Sequence, residues 1–179
     1  MSKIYVDEIL PKDNSTVDGS NLSAVPASAI STLNSSAMPT GSVLQVVQSV
    51  APSGSELTNT STSWADTGFS VTITPKSSTS HFLVRMSLNA YMGYGHSGGV
   101  GIWRNGSVMV DKVYGFCFLW ITNERGSHNL SKEFLDTTSS SQSITYSVYT
   151  RCGSTSETIN CPHSPTDILN TITVTEIAG

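Results

Sequence analysis

The sequence predicts an all-β protein: an antiparallel β-sandwich of the jelly-roll kind, preceded by an extended N-terminal segment. Apolar and polar residues alternate with a period of two in several stretches, most clearly at 69–74 and 144–150. Turn-forming residues separate these stretches at intervals of roughly ten residues, which is typical of a sandwich. From residue 41 onward no stretch has a convincing helical period, so helices are not expected there.

The predicted strands follow one another from residue 42, where the first begins and runs to residue 50. Strands at 69–74 and 81–91 are expected to form a β-hairpin, because Pro75 lacks a backbone N–H and ends the first of them. Asn105-Gly106 predicts a second hairpin, since both central positions of its turn need positive φ. Long connections or irregular segments are expected at 51–66, 92–99 and 152–167. The other strands are expected at 101–110 (the second hairpin), 113–121, 130–136, 144–150 and 168–177.

The composition excludes several classes of function. Charged residues make up only 12% of the 179 residues, about half the usual share, and the net charge is −4. No basic cluster is present, so nucleic-acid binding is not expected. No apolar run approaches the ~20 residues of a membrane span, so membrane insertion is not expected either. Acidic residues stand where a signal peptide would be apolar, which indicates synthesis and assembly in a cytoplasm.

Residues 1–40 are expected to form a segment separate from the domain at 41–179. A short apolar strand around Ile4 and Val6 ends at the first proline, and isolated apolar residues follow among Ser, Ala and Pro. Such a segment buries too little apolar surface to offset its ordering entropy. It is therefore expected to be disordered, or to order only against partner chains, with a short helix at 27–33 as an alternative.

Four aromatic residues near predicted loops and one histidine are the candidate receptor-binding residues. Aromatic rings can stack on the apolar faces of sugars while neighbouring polar groups bind the hydroxyls. The loop at 92–99 is glycine-rich and is expected to be flexible and exposed. Trp103 and Trp120 fall in predicted strands, where packing in the core or in a subunit interface is expected. The candidates are Trp64, Tyr91, Tyr94, His96 and Tyr114.

The same loop matches two short catalytic motifs. Its glycines fit the dinucleotide pattern GxGxxG, and Gly95-His-Ser97-Gly-Gly99 fits the nucleophile elbow GxSxG. Both motifs require a following helix, whereas a strand is predicted here. Ser97 with Asp136 and His163 therefore supports a hydrolase only as a remote alternative. No catalytic residue is assigned, and the chain is not expected to be an enzyme.

Three cysteines, an odd number, do not indicate a disulfide framework. Cys152 and Cys161 could face each other across a hairpin and form one disulfide, or stay reduced in a cytoplasm. Together with His163 they could bind zinc, but their spacing matches no common zinc finger. Cys117 is expected to be a small buried hydrophobe. No metal and no cofactor are predicted, although one histidine per chain could form a metal-binding ring around the axis of a trimer.

Five stretches carry a resemblance to a known family. In the domain they are TSWADTGFSVTITPKSSTSHFLV at 62–84, IWRNGS at 102–107, FLDTTSSSQSITYSV at 134–148 and ITVTEIAG at 172–179. These four resemble the distal, receptor-binding domain of marine bacteriophage tail-fibre proteins. The opening SKIYVDEILPKDNSTV at 2–17 is similar to the motif that attaches such fibres to the tail. The resemblance departs at 92–99 and 110–129.

This resemblance implies a virion structural protein, a tail fibre or tip that attaches the phage to its host and resides in the virion tail. It implies a homotrimer that contacts other tail or virion proteins through residues 1–40 and a host surface glycan or protein through its loops. One alternative is a decoration or adaptor protein of the tail or capsid with no receptor. A surface-polysaccharide hydrolase is a remote alternative. The resemblance assigns virion attachment to Ile4, Tyr5, Val6, Ile9 and Leu10.

Overall fold

The computed structural model describes residues 38–54, 56–109, 117–121, 126–163 and 168–179. These residues form eleven strands and no helix, which confirms the all-β fold class. The strands are β1 (Val43–Val50), β2 (Glu56–Asn59), β3 (Ala65–Ile73), β4 (His81–Met92), β5 (Ser97–Arg104), β6 (Ser107–Val108), β7 (Cys117–Trp120), β8 (Gly126–Asp136), β9 (Ile144–Cys152), β10 (Ile159–His163) and β11 (Thr171–Ile177).

The strands form two antiparallel sheets. In sheet 1 the order is β1-β11-β4-β10-β2, and β8 pairs with the opposite edge of β4. In sheet 2 the order is β3-β9-β5-β6, and β7 pairs with the same edge of β5 as β6 does. When β2, β6 and β10 are set aside, the other eight strands form the sheets β1-β11-β4-β8 and β3-β9-β5-β7. This is the strand order of a jelly roll, as the sequence predicts.

Alternation of the side chains places one face of each sheet in the core. In β9 and β11 every second residue is buried. The largest fully buried side chains include Phe82 in β4, Tyr146 in β9 and Ile172 in β11. Each buried side chain of this size contributes about 1.5–3 kcal/mol to folding. The core between the sheets therefore fixes the register of both, because a one-residue slip would expose the apolar face.

The connection between β3 and β4 shows that the predicted hairpin is wrong. β3 pairs with β9 in sheet 2, whereas β4 lies in sheet 1, so the connection crosses from one sheet to the other. The buried carboxylate of Glu176 holds it in place. Glu176 Oε1 accepts hydrogen bonds from the Lys76 backbone N–H at 2.7 Å and from the Ser80 hydroxyl at 2.6 Å. The anchoring residue lies 100 positions from Lys76, so local turn signals could not reveal the crossing.

Several boundaries also differ from the prediction. The connection at 51–66 contains β2 and the start of β3, and the irregular segment at 152–167 contains β10. Ser97 to Gly99 begin β5 instead of belonging to a loop, and β8 begins at Gly126 rather than at residue 130. Distant partners cause these differences: β10 pairs with β4 and β2, β5 pairs with β7, and β8 pairs with all but the first residue of β4.

The turn at Asn105-Gly106 is confirmed. Asn105 has φ +48 and Gly106 has φ +76, and Trp103 pairs with Val108 across the hairpin. The Asn105 backbone N–H donates to Thr145 O at 2.8 Å, and its side-chain Oδ1 accepts from the Thr145 N–H at 2.8 Å. The turn is thereby tied to the start of β9.

A polar network joins the two sheets at the end of β8. Arg104 Nη1 lies 2.8 Å from Asp136 Oδ1, and the Tyr146 hydroxyl donates to Asp136 Oδ2 at 2.8 Å. Burial raises the Asp136 pKa, but hydrogen bonds from Tyr146, the Thr138 N–H and Arg104 outweigh it and hold the pKa below its usual range. Burial and the neighbouring Asp136 raise the pKa of Tyr146. The network ties β8 in sheet 1 to β5 and β9 in sheet 2.

The first described residues and the turn between β4 and β5 lie at opposite ends of the sandwich. The Gly41 N–H donates to Ala178 O at 2.7 Å. Ile177, next to Ala178, is in register with His81 at the start of β4. Met92, the last residue of this strand of 12 residues, pairs with Ile159. At about 3.3 Å per residue, the two ends of β4 are roughly 35 Å apart.

Some predictions fall on residues outside the described ranges. These are the attachment residues Ile4, Tyr5, Val6, Ile9 and Leu10, the helix at 27–33, Tyr114, and the first part of the strand at 113–121. Within the described ranges, no helix is long and apolar enough to cross a membrane.

Candidate functional site

A four-residue turn, Gly93 to His96, joins β4 in sheet 1 to β5 in sheet 2. The His96 N–H donates to Gly93 O at 3.2 Å and closes the turn. Gly95 has φ +71, a conformation that glycine adopts without a steric penalty. Tyr94 is thereby held at the tip of the turn, where it is 62% exposed.

The ring of His96 folds back over Gly93 and contacts the loop that precedes β10. A Cβ atom on residue 93 would come within 2.7 Å of the ring, so glycine makes this position available. The Thr158 N–H donates to His96 Nδ1 at 3.1 Å. Nδ1 also lies 3.3 Å from the Thr158 carbonyl oxygen. The Thr158 N–H can only donate and is the closer of the two, so the neutral ring that accepts its bond carries its proton on Nε2. The sequence predicts that the side chains of Tyr94 and His96 are both exposed. This is confirmed for Tyr94, whereas His96 is half-buried.

Glu157 fixes the loop between β9 and β10 against β5. Its Oε2 accepts hydrogen bonds from the Ser97 hydroxyl at 3.0 Å and from the Ser154 N–H at 2.9 Å. The Gly153 N–H also donates to Ser97 O at 2.9 Å. Charge-assisted bonds of this kind are stronger than neutral ones, so Thr158 is presented to His96 by an ordered loop.

The turn, the end of β4 and the start of β10 enclose a pocket of about 410 Å³, which we call the end pocket. Its volume lies in the range of small-molecule sites, ~300–1,000 Å³. Tyrosine rings supply apolar surface, while the imidazole, hydroxyl and amide groups supply hydrogen-bonding atoms. The lining residues are Tyr91, Gly93, Tyr94, His96, Thr158 and Asn160.

The wall behind Tyr91 is built by β10 and β2. The Tyr91 ring lies against the His163 ring, with centroids 5.1 Å apart and planes at 30°. Glu56 in β2 accepts a hydrogen bond from the Asn160 amide. Its Oε1 also lies 3.3 Å from His163 Nδ1, but without hydrogen-bond geometry, so this contact is an ion pair only when the ring is protonated.

Three of the five predicted binding residues, Tyr91, Tyr94 and His96, therefore lie together in the end pocket. Thr158 and Asn160 complete it, and sequence analysis missed both. The alternation of buried and less buried residues at 159–161 is a strand signal, but it is too short to be recognised among the prolines that follow. Only the long-range pairing of β10 with β4 brings these residues to the turn.

Trp64 lies in a different place, on the outer face of sheet 2. Its ring packs against Trp103 with centroids 4.8 Å apart, and Trp103 stacks on Tyr149 at 4.3 Å with planes at 20°. We call these three residues the aromatic cluster. Arg151 lies over the Trp64 ring at 5.9 Å. Burial and a hydrogen bond to the neighbouring Asp66 carboxylate raise the pKa of Tyr149.

The rings of the aromatic cluster shield one another from solvent. Trp103 is only 8% exposed although it points away from the core, because Trp64 and Tyr149 lie on it and its ring extends over Gly101. Trp120 in β7 differs, since it is 72% exposed. Of the two tryptophans expected in the core or in a subunit interface, Trp103 is thus buried under neighbouring rings, and Trp120 is outside the core; the interface alternative for Trp120 stays a prediction.

Ser97, Asp136 and His163, the residues considered for a hydrolase, each contact a different set of residues. Ser97 lies in β5, not on a strand-to-helix turn, and donates its hydroxyl to Glu157. Asp136 binds Arg104 and Tyr146, and His163 lies beside Tyr91 and Glu56. No group of three His, Cys, Asp or Glu residues in the described ranges is arranged to hold a metal ion.

All three cysteines are free thiols in the structure, so Cys152 and Cys161 are not bridged. The Cys152 thiol donates to Asn59 O at 3.1 Å. Burial raises the pKa of Cys161 to about 12, aided by the nearby Cys117. The pKa values of Cys152 and Cys117 are also raised by burial. Because the thiolate is the reactive form, the raised pKa values lower the nucleophilicity of these thiols at neutral pH. Cys117 is half-buried rather than fully buried.

The fold and the site define a class: a jelly-roll sandwich with a pocket between two strand ends. No protein-family model matches the chain, and no curated protein matches it.

Proposed function

We propose that this chain is a virion structural protein, a trimeric tail fibre or tip whose end pocket binds a host surface glycan. The observation that carries this proposal is the position of the end pocket. It lies at the end of β4 opposite to Gly41, where the segment at 1–40 joins the domain. In a chain attached through residues 1–40, the pocket would therefore lie at the end of the domain farther from Gly41.

The chemistry of the end pocket supports a glycan as the ligand. Tyr94 offers an exposed ring at the tip of the turn, and Tyr91 offers a second ring that His163 holds in place. Sugars combine an apolar face with hydroxyl groups, and aromatic rings with adjacent polar atoms match both. The contact area of one pocket is small, so a single site would bind weakly.

A homotrimer would compensate for weak single sites. Three pockets on one fibre, and several fibres on one particle, raise the overall affinity through effective concentration. Val43, Val46 and Val50 support self-association. These side chains lie on β1, an edge strand of sheet 1, and are 48–59% exposed, so both an open strand edge and apolar surface are available there for another chain.

The experiment that tests the proposal has two parts. Electron microscopy of particles labelled with antibody fragments against residues 41–179 should show label at the free end of the tail. A fluorescent fusion of the full chain should then bind cells of the bacterium that the particle infects. Label buried among other virion proteins, with no cell binding, would instead support the adaptor alternative.

A pair of variants assigns the binding to the end pocket. Tyr94→Ala removes the ring at the tip of the turn and should abolish cell binding. Leu135→Ala removes a large exposed apolar side chain from β8, opposite Leu83 near the start of β4 and away from the pocket, and should leave binding unchanged. If both variants bind like the unmodified chain, the end pocket is not the adhesive site. Light scattering of the same proteins should give the mass of three chains.

A further inference from the structure

We infer that the end pocket recognises a neutral saccharide, an uncharged hexose or a short chain of hexoses, and discriminates against acidic sugars. This inference rests on the proposed adhesive function and names the ligand class of the same site. It follows from the charges around the pocket, from one hydrogen-bond donor and from the arrangement of the rings.

The lining of the end pocket carries no Lys, Arg, Asp or Glu within the described residues. A buried carboxylate, as in a sialic or uronic acid, needs a cation or several N–H donors to offset its lost hydration. Thr158, whose N–H could serve, already donates it to His96 Nδ1. An acidic sugar would therefore lose more hydration than it gains in contacts.

Two carboxylates beside the lining residues make binding of an anion still less favourable. Glu56 contacts Asn160, a lining residue, and Glu157 precedes Thr158 in the ordered loop. Both carboxylates accept hydrogen bonds from the protein and are held close to the site. Their field, together with the net charge of −4, repels a negative ligand.

His96 supplies a donor suited to sugar oxygens. Its Nδ1 accepts from Thr158, so Nε2 carries a proton, and Nε2 has no hydrogen-bond partner in the described part of the chain. A hydroxyl or ring oxygen of a neutral sugar can accept this bond. The tyrosine rings then pack on the apolar face of the sugar, and Tyr94 loses the exposure it has in the free protein.

The test compares matched saccharides with the full chain at pH 8. Saturation-transfer NMR and titration calorimetry would use three neutral and acidic pairs: lactose and 3′-sialyllactose, glucose and glucuronate, and mannose and mannuronate. At least one neutral probe should bind, and its acidic counterpart should bind at least about tenfold more weakly. Acidic probes that bind equally or more tightly overturn the inference but leave adhesion intact. If no probe of either kind binds, both the inference and the glycan part of the proposed function fail.

Two substitutions at one position isolate the donor. His96→Asn keeps an acceptor where Nδ1 receives the Thr158 N–H but removes the donor, so affinity for the neutral probe should fall about three- to tenfold. His96→Gln places an amide N–H near the position of Nε2 and should retain more of the affinity. Equal melting temperatures would show that both variants are folded. Unchanged affinity in His96→Asn would overturn the assigned role of Nε2.

Discussion

The aromatic cluster on sheet 2 and the end pocket both consist largely of aromatic rings, yet the rings are used in opposite ways. In the aromatic cluster Trp103 lies between Trp64 and Tyr149, and little of it reaches solvent. In the end pocket the Gly93–His96 turn holds Tyr94 apart from Tyr91, with space between them. Rings that cover one another stabilise a fold, whereas rings held around a space by backbone geometry are available to a ligand.

Backbone geometry is the cause of this difference. The cluster residues lie in or beside extended strands, where neighbouring side chains on one face meet directly. The end pocket lies where β4 leaves sheet 1, so its walls come from the end of β4, the Gly93–His96 turn and the start of β10 with the residue before it. Substitutions in and around the aromatic cluster and the end pocket should therefore affect stability and binding separately.

Trp103→Ala should reduce the free energy of unfolding by about 3–5 kcal/mol, because it removes the central ring of the aromatic cluster and leaves a cavity. Saccharide binding by the folded protein should not change. Urea denaturation followed by circular dichroism measures the stability. Tyr94→Ala is the matched control, and its stability should stay within about 0.5 kcal/mol since its ring is exposed. If each variant lost both stability and binding, the two regions would not be separable.

Asp136→Asn tests the polar network that ties β8 to β5 and β9, the strands that carry Trp103 and Tyr149. The substitution leaves Arg104 without its counter-charge and should lower the free energy of unfolding by about 2 kcal/mol. This is less than the loss expected for a fully buried ion pair, because Arg104 is partly exposed. The folded-state pKa of Asp136 is lowered, so its contribution is present above the unfolded pKa of about 4. The contribution is lost as the pH falls through the folded pKa.

Urea midpoints measured from pH 7 to pH 2 check this assignment. The unmodified chain should lose stability below about pH 4 more steeply than Asp136→Asn does. Parallel curves for the two proteins would mean that Asp136 titrates alike in the folded and unfolded chains. Tryptophan fluorescence should report the change at the aromatic cluster, while saccharide binding at pH 7 should remain intact.

Glu157→Gln should have the smallest effect on stability and a measurable effect on binding. The amide replaces two charge-assisted bonds, to Ser97 and Ser154, with neutral ones, so stability should fall by about 1 kcal/mol. Calorimetry should show saccharide affinity reduced a few-fold, because the loop that presents Thr158 becomes less ordered. Glu133→Gln is the control: its exposed pair with Arg85 contributes little, and it lies away from the end pocket. If Glu157→Gln and Glu133→Gln lost equal affinity, the loss would come from the change in net charge and not from the order of the loop.

The sequence predicts those features of the fold that follow from nearby residues. Alternation identifies the long strands, and Asn105-Gly106 defines its turn because positive φ is a local requirement. The sheet to which a strand belongs is not local information. The prediction that β3 ends before Pro75 is correct. The crossing of the chain to the other sheet after Pro75 is held by Glu176, which is distant in sequence.

The candidate site shows the same division. Tyr91, Tyr94 and His96 could be proposed from the sequence because aromatic residues beside glycines tend to be presented by turns. Thr158 and Asn160 could not, since their place in the end pocket depends on β10 pairing with β4. Trp64 could not be separated from the candidates either, because its contact with Trp103 joins distant parts of the chain.

The pairing of β1 with β11 has a mechanical consequence. If the end pocket holds a receptor while the segment before Gly41 is fixed to a particle, tension runs along the strand axes. β1 and β11 are antiparallel neighbours with seven register pairs, so such a pull shears these pairs together instead of peeling them apart one by one. Forced unfolding is governed by the rate of unfolding, and simultaneous rupture has the higher barrier. Under a pull in this direction the domain would therefore unfold slowly.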